Sequence, residues 1–263
     1  MKMKGICILF VWFIAIAAFY EMKISNAGET AAQMTQGNLY EKAVFLKEDG
    51  KSDEAISMFS KFMDTSNDEL KRTDAMLEQC MIMKAMKIRA WKSKAKEAQQ
   101  KVKILYRTNY MNPEYWLVYA KFAALVNKER DVYGAFKKAF FYKPGYPEGY
   151  RVKGDLYSYL AKNTDPSEST ASTAIGYEDV PVRKENSVRY QKGKEAKESY
   201  EMALSNSTLD NDRKVYIYYK IGVLEMDILS NKEDAVKNWR KAVELSPGSM
   251  YGKKSAELLS KNQ

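Results

Sequence analysis

The amino-acid sequence predicts an all-α fold, an α-solenoid of about five helix-turn-helix repeats behind an N-terminal hydrophobic segment. Apolar residues recur at spacings of three and four through almost all of 36–248, which is the period of a helix with one buried face. The same arrangement of large and small apolar residues returns after about 34 residues, and fixed-period self-similarity of that length marks a solenoid. Pro113, Pro144 and Pro247 stand at the edges of the periodic segments, where helices begin or have to stop.

The pattern is clearest at 113–144. Trp116, Tyr119, Ala120 and Ala123 fall on one face of a first helix, and Val132, Phe136, Ala139 and Phe140 on one face of a second. The polar turn from Asn127 to Arg130 is too short for anything but an antiparallel pair. Ala120 and Ala139 occupy the positions where the two axes would come closest. Pro144 and Gly145 end the second helix. Trp116, Ala120, Phe136, Ala139 and Pro144 stand at the spacing of the tetratricopeptide repeat, and the stretch resembles one unit of that family, with Val132 in place of the first alanine of helix B.

The resemblance recurs along the chain. A first unit at about 36–69 carries Leu39, Ala43, Leu46, Gly50, Ala55 and Phe59. The next, at about 70–112, is of repeat-like length but ambiguous in register: Ala98, Val102 and Leu105 fit a helix B, whereas Met86 takes a place that wants a small residue. After 113–146, a fourth unit at 147–209 has Tyr150, Gly154 and Tyr157 in helix A and Ala196, Tyr200 and Ala203 in helix B, separated by an insertion at 162–186. The fifth, at 212–248, has Tyr218, Ile221 and Gly222, then Ala235, Trp239, Ala242 and Pro247, with a turn one residue longer than the family's. Residues 249–263 are expected to form a C-terminal capping helix. The insertion is rich in Ser, Thr, Pro and Gly and reads as a loop, either tolerated at a turn or a partner-binding flap using Ile175, Tyr177, Val180 and Val182.

Residues 1–27 are expected to stand apart from the repeats. Lys2 and Lys4 precede an uncharged apolar run from Gly5 to Tyr20, and Ser25-Asn26-Ala27 offers the small residues that a signal peptidase reads. That run rises about 24 Å as a helix against a hydrocarbon core of about 30 Å. Two readings follow: a cleaved secretory signal, or an N-terminal anchor in the inner membrane. Both export the repeats to the periplasmic, extracytoplasmic side, because basic residues precede the apolar run. A lipidated cysteine would have to follow the run, and Cys7 comes too early.

Composition narrows the chemistry. The net charge is +9, and since residues 1–27 hold three basic and one acidic residue it is +7 without them. Cys80, the one cysteine beyond the leader, sits among methionines on an apolar segment and reads as a core thiol. With no histidine, a Ser-His-Asp or Cys-His nucleophile, His-ligated haem and the usual zinc sites are ruled out. No glycine-rich phosphate loop is present, and acidic pairs are adjacent in sequence rather than poised across a cleft. The expectation is a non-enzymatic scaffold or adaptor of the cell envelope, with no cofactor and no metal. Envelope assembly, secretion or appendage biogenesis would be its setting.

Two binding surfaces are expected. If the resemblance holds, helix A positions that point away from helix B line a concave groove for a partner peptide or helix. Those positions are Tyr40, Leu117, Lys121, Arg151, Asp155, Tyr159, Tyr216 and Tyr219. The lysine and asparagine clamp by which some members grip chaperone C-termini is absent, since Tyr40 and Val44 stand there. The second surface is a basic ridge of Arg89, Lys92, Lys96, Lys103 and Arg107, which fall within about 60° of arc at 100° per residue. It would suit a membrane surface or an anionic envelope polymer. Nucleic acid is disfavoured, because the ridge reads as lacking exposed aromatics for base stacking. Mass spectrometry of the native protein is expected to find a mature N-terminus at Gly28 for a cleaved signal, or a retained Met1 for an anchor. A domain protected from protease inside intact spheroplasts would exclude both.

Overall fold

The structure, a computed structural model, describes residues 39–165 and 187–262. The leader and most of the 162–186 insertion, with its four apolar residues, lie outside them. Every regular element among the described residues is helical, and none of these helices is long and apolar enough to cross a membrane. The chain divides into two compact units, with the boundary after Lys94.

In the first unit, helix α1 (39–48) turns through Gly50 into α2 (Ser52–Thr65), followed by α3 (Glu69–Ala85). Gly50 has φ +77°, a left-handed conformation that a side chain would strain, so the tight turn requires glycine there. Asp68 caps α3 by accepting from the Leu70 and Lys71 amides at 2.9 and 3.1 Å. Ala43, Leu46, Ala55, Phe59, Phe62, Ala75 and Ile82 close one apolar core over all three helices. At its polar edge the Lys47 ammonium donates to Glu78 at 2.8 Å, and the Gln79 amide nitrogen to the Ile56 carbonyl and the Ser60 hydroxyl at 2.7 Å each. Cys80 is fully buried. Met86, which takes a place that wants a small residue, follows α3 and is 39% exposed.

The second unit begins within α4 (Trp91–Asn109), whose Ala95, Ala98, Val102 and Leu105 are buried. Three antiparallel pairs follow: α5 (Pro113–Leu125) with α6 (Glu129–Tyr142), α7 (Pro147–Asn163) with α8 (Val188–Leu204), and α9 (Asn211–Leu224) with α10 (Lys232–Leu245). Asn112, Ser187 and Asp210 cap α5, α8 and α9 through their side chains, and Pro113 and Pro147 occupy first-turn positions where no backbone donor is needed. The final helix, α11 (Met250–Asn262), packs on α9 and α10. Alternation makes α6 and α8 run the same way. Lys192 near the start of α8 reaches Glu129 at the start of α6 at 2.5 Å, and Asn206 after α8 donates to the Gly145 carbonyl after α6 at 3.2 Å.

What sets the spacing within each pair is a small residue beneath a large one. A methyl carbon added at Gly154 of α7 would stand 2.5 Å from the Tyr200 ring of α8, and one added at Gly222 of α9 would meet the Trp239 indole of α10 closer still. Ala120, Ala139 and Ala242 are fully buried. The extra residue in the last pair's turn does not lengthen a loop. It is taken up as a π-helical turn, Glu225–Leu229, which ends at Ser230 with φ 56°. Glu225 is buried in that turn and pairs with Lys197 of α8 at 2.5 Å, so the bulge also ties α8 to the α9–α10 pair.

Trp239 is 1% exposed and has no room to retreat. Gly222→Ala is therefore expected to destabilise the protein by about 1–3 kcal/mol through overpacking, read by urea or thermal unfolding. Adding Trp239→Leu to Gly222→Ala should not cost the sum of the two single changes, because the leucine frees the space that the methyl needs.

Candidate functional site

The A helices of the second unit, α5, α7 and α9, carry a charged cluster. Arg151 of α7 lies at its centre. Its guanidinium donates to Glu148 at 2.5 and 2.9 Å and to Asp155 at 2.5 Å, all on one face of α7 because the spacings are three and four residues. Asp155 accepts in turn from the Tyr200 hydroxyl of α8 at 2.7 Å and the Tyr216 hydroxyl of α9 at 2.6 Å. The Arg151 guanidinium also stands 5.5 Å from the Tyr216 ring centre, in cation–π range. Arg213, at the start of α9, approaches Glu148 at 3.8 Å and keeps 55% of its side chain exposed. Lys121 of α5 adds its field at Glu148.

The electrostatics follow from that packing. Burial alone would raise the Glu148 carboxyl, but the charge and hydrogen bonds of Arg151, with Arg213 and Lys121 beyond, outweigh it and hold the group below its usual value. Burial would likewise lower Arg151, yet Glu148 and Asp155 lift it well above the ordinary guanidinium range. The group is a permanent cation whose hydrogen bonds are committed to its own helix.

Placement of the expected groove residues is mixed. Arg151, Asp155 and Tyr216 meet in this cluster, and Lys121 stands beside it, 7% exposed. Leu117 is 6% exposed, and Tyr219 is buried with its ring 5.3 Å from that of Tyr251 on α11. Tyr159 is partly buried near the end of α7. Tyr40 belongs to the first unit, edge-on to Phe59 and Phe62 and donating to Asp74. Arg151, expected on the groove wall, is held by two carboxylates of its own helix. Reversing it to Glu would place three carboxylates together, so such a change is no neutral probe of binding. Arg213 is the residue the sequence reading missed. Its signal was its neighbour, since Asp210 caps α9 at the Arg213 amide and pairs with its guanidinium at 2.6 Å.

The basic ridge is exposed, with two corrections. Arg89 precedes α4 in a turn, so helical geometry does not align it with Lys92, Lys96, Lys103 and Arg107. Exposed aromatics are present after all: Tyr106 and Tyr110 are each 48% exposed beside Lys103 and Arg107.

Because Glu148 is held below its unfolded value near 4.5, its contribution to stability is complete above about pH 4.5 and is lost as pH falls through the lower folded value. Melting temperatures of the parent and of Glu148→Gln should accordingly converge between about pH 6 and pH 3, with the variant showing the shallower acid slope.

No family model and no curated relative matches the chain. Solved structures similar to it include TTC0263, a thermophilic TPR protein of Thermus thermophilus, at 14% identity and a TM-score of 0.46 over 85% of this chain and 98% of that one. YrrB, a TPR protein with an unusual peptide-binding site, matches at 13% identity and 0.40 over 83% and 90%, and MamA at 14% and 0.39 over 80% and 91%. The described residues form an all-α fold of antiparallel helix pairs in which small residues of the A helices are set against aromatics of the B helices.

Proposed function

We propose that this protein is a non-enzymatic interaction scaffold of the cell envelope that binds an acidic segment of a protein partner along α5, α7 and α9. The observation that carries the reading is the cationic surplus of the cluster on those helices. Lys121, Arg151 and Arg213 act on Glu148, and Lys220 stands 5.9 Å from the Tyr216 ring, while the acidic members are Glu148, Asp155 and, on Arg213, Asp210, so four cations meet three carboxylates. Internal pairing neutralises part of that charge and fixes the geometry of the rest, so a partner carboxylate meets donors that are already ordered. Arg213 is the accessible member. Tyr216 and Tyr219 build the wall behind it rather than the contact surface, since both are buried against Tyr251.

The partner's acidic segment would be a peptide or a helix with apolar flanks, the charges setting register and the apolar groups supplying area. Export across the membrane, by signal or by anchor, would place the array among envelope assemblies. This placement rests on the apolar run at 5–20.

The test begins with photo-crosslinking from a site beside Arg213, followed by titration of a synthetic acidic peptide taken from the captured partner. Arg213→Gln, which removes the charge without adding a third carboxylate beside Glu148 and Asp210, is expected to weaken that peptide by about 2 kcal/mol if the charge is desolvated in the complex, while helicity and melting stay near the parent. Lys237→Glu and Arg240→Glu on the outer face of α10 should leave affinity unchanged. Equal losses from the two surfaces, or loss only from α10, would sink the reading.

A further inference from the structure

The outer faces of α4 and α6 present a surface unlike the rest of the second unit. On α4, Ile104 is 68% and Tyr106 48% exposed, and at 100° per residue they flank Lys103 and Arg107 on either side. On α6, Tyr133, Lys137 and Phe141 repeat at intervals of four, so they share one face, with the two rings 66% and 77% exposed. Trp116 of α5 touches the flank of each helix, with the Tyr106 ring centre 6.1 Å away and the Lys138 ammonium 5.0 Å from its ring.

Charge separates this surface from those beside it. From Ala95 onward α4 holds a single acidic residue, Glu97, nearly two turns away from Lys103, and the acidic residues of α6 are confined to its first turn at Glu129 and Asp131. The outer face of α10, by contrast, mixes Glu233 and Glu244 with Lys237 and Arg240 and carries no exposed aromatic ring. Aromatic rings standing in water among lysines and arginines are the pattern of a surface that lies in a membrane interface, where rings enter the headgroup boundary and ammonium groups meet phosphates.

We infer that the α4–α6 outer face docks on an anionic lipid bilayer, with Ile104, Tyr133 and Phe141 at the acyl boundary and Lys103, Arg107 and Lys137 on lipid phosphates. An acidic protein surface would match the charges, but exposed rings on two parallel ridges fit a plane that yields to them better than a rigid partner. The apolar run at 5–20, whether signal or anchor, brings the chain to a bilayer during its synthesis. Docking and partner binding use different helix faces, and each can fail without the other.

The experiment uses the full chain, reconstituted in vesicles, so that any contribution of the apolar run is the same in every sample. A polarity-sensitive fluorophore is attached through Gly134→Cys in a Cys7→Ser background. Gly134 lies on the Tyr133 and Phe141 side of α6, and an added Cβ there meets nothing within 4 Å. Cys80 is fully buried and stays unlabelled in the folded protein. The expected result is a blue shift with quenching by brominated acyl chains in phosphatidylglycerol-containing vesicles, lost in phosphatidylcholine alone and at high salt. The same label introduced through Lys237→Cys on α10 should show neither. Combining Lys103→Glu, Arg107→Glu and Lys137→Glu should lower the docked population about a hundredfold while helicity and melting are retained. No shift at the Gly134 site in any vesicle, an equal shift at the Lys237 site, a shift indifferent to lipid charge, or a shift that appears only when an acidic protein is added would each overturn the proposal.

Discussion

The carboxylate of Asp155 is the point on which the second unit turns. One side chain on α7 receives hydrogen bonds from Arg151 of its own helix, Tyr200 of α8 and Tyr216 of α9. A pair of helices can be held by apolar contact alone, but apolar contact is indifferent to sliding by a fraction of a turn. Three directed bonds to one carboxylate fix both the partner of α7 within its hairpin and the hairpin that follows. The arrangement depends in turn on Gly154, one residue before Asp155, because only a residue without a side chain lets the Tyr200 ring lie close enough for its hydroxyl to reach that oxygen. Packing and polar bonding are thus one device here, and the desolvation of the carboxylate is offset by the cation beside it.

The same packing divides the surface. The A helices are buried nearly all round: α7 has no exposed residue from Tyr146 to Ala161, and α5 none from Tyr115 to Val126. What they show to solvent is a narrow strip of paired charge. The B helices keep an open face, and their open faces differ from one another. Those of α4 and α6 are basic and aromatic, whereas that of α10 is a mixed polar surface of ordinary solvated character. Proteins rarely leave several large rings exposed together without a use for them. The directed polar strip and the basic aromatic face proposed for a protein partner and a membrane lie on different helices, α5, α7 and α9 against α4 and α6, so the two proposals do not compete for side chains.

Much of the architecture was legible before any coordinates. Helical periodicity and the recurrence of small residues at fixed intervals determined the all-α class, the hairpin pairing, and the roles of Ala120, Gly154 and Gly222, because each follows from which side chains fit on one face of a helix. The burial of Cys80 among methionines followed from the same pattern, and the missing histidines excluded whole classes of chemistry by composition alone. What only the tertiary structure decided is how charge is paired. A sequence places Arg151, Glu148 and Asp155 on one face but cannot show that Tyr200 and Tyr216, 45 and 61 residues from Asp155, complete the cluster and turn an apparent ligand-binding cation into a structural one. Nor could periodicity foresee that an extra residue would become the π turn holding Glu225 against Lys197, or that Arg89 lies outside α4 while Tyr106 and Phe141 stand in water. Burial of a helix face is written in local spacing; the pairing of charges and the exposure of rings depend on which neighbours arrive from elsewhere in the chain.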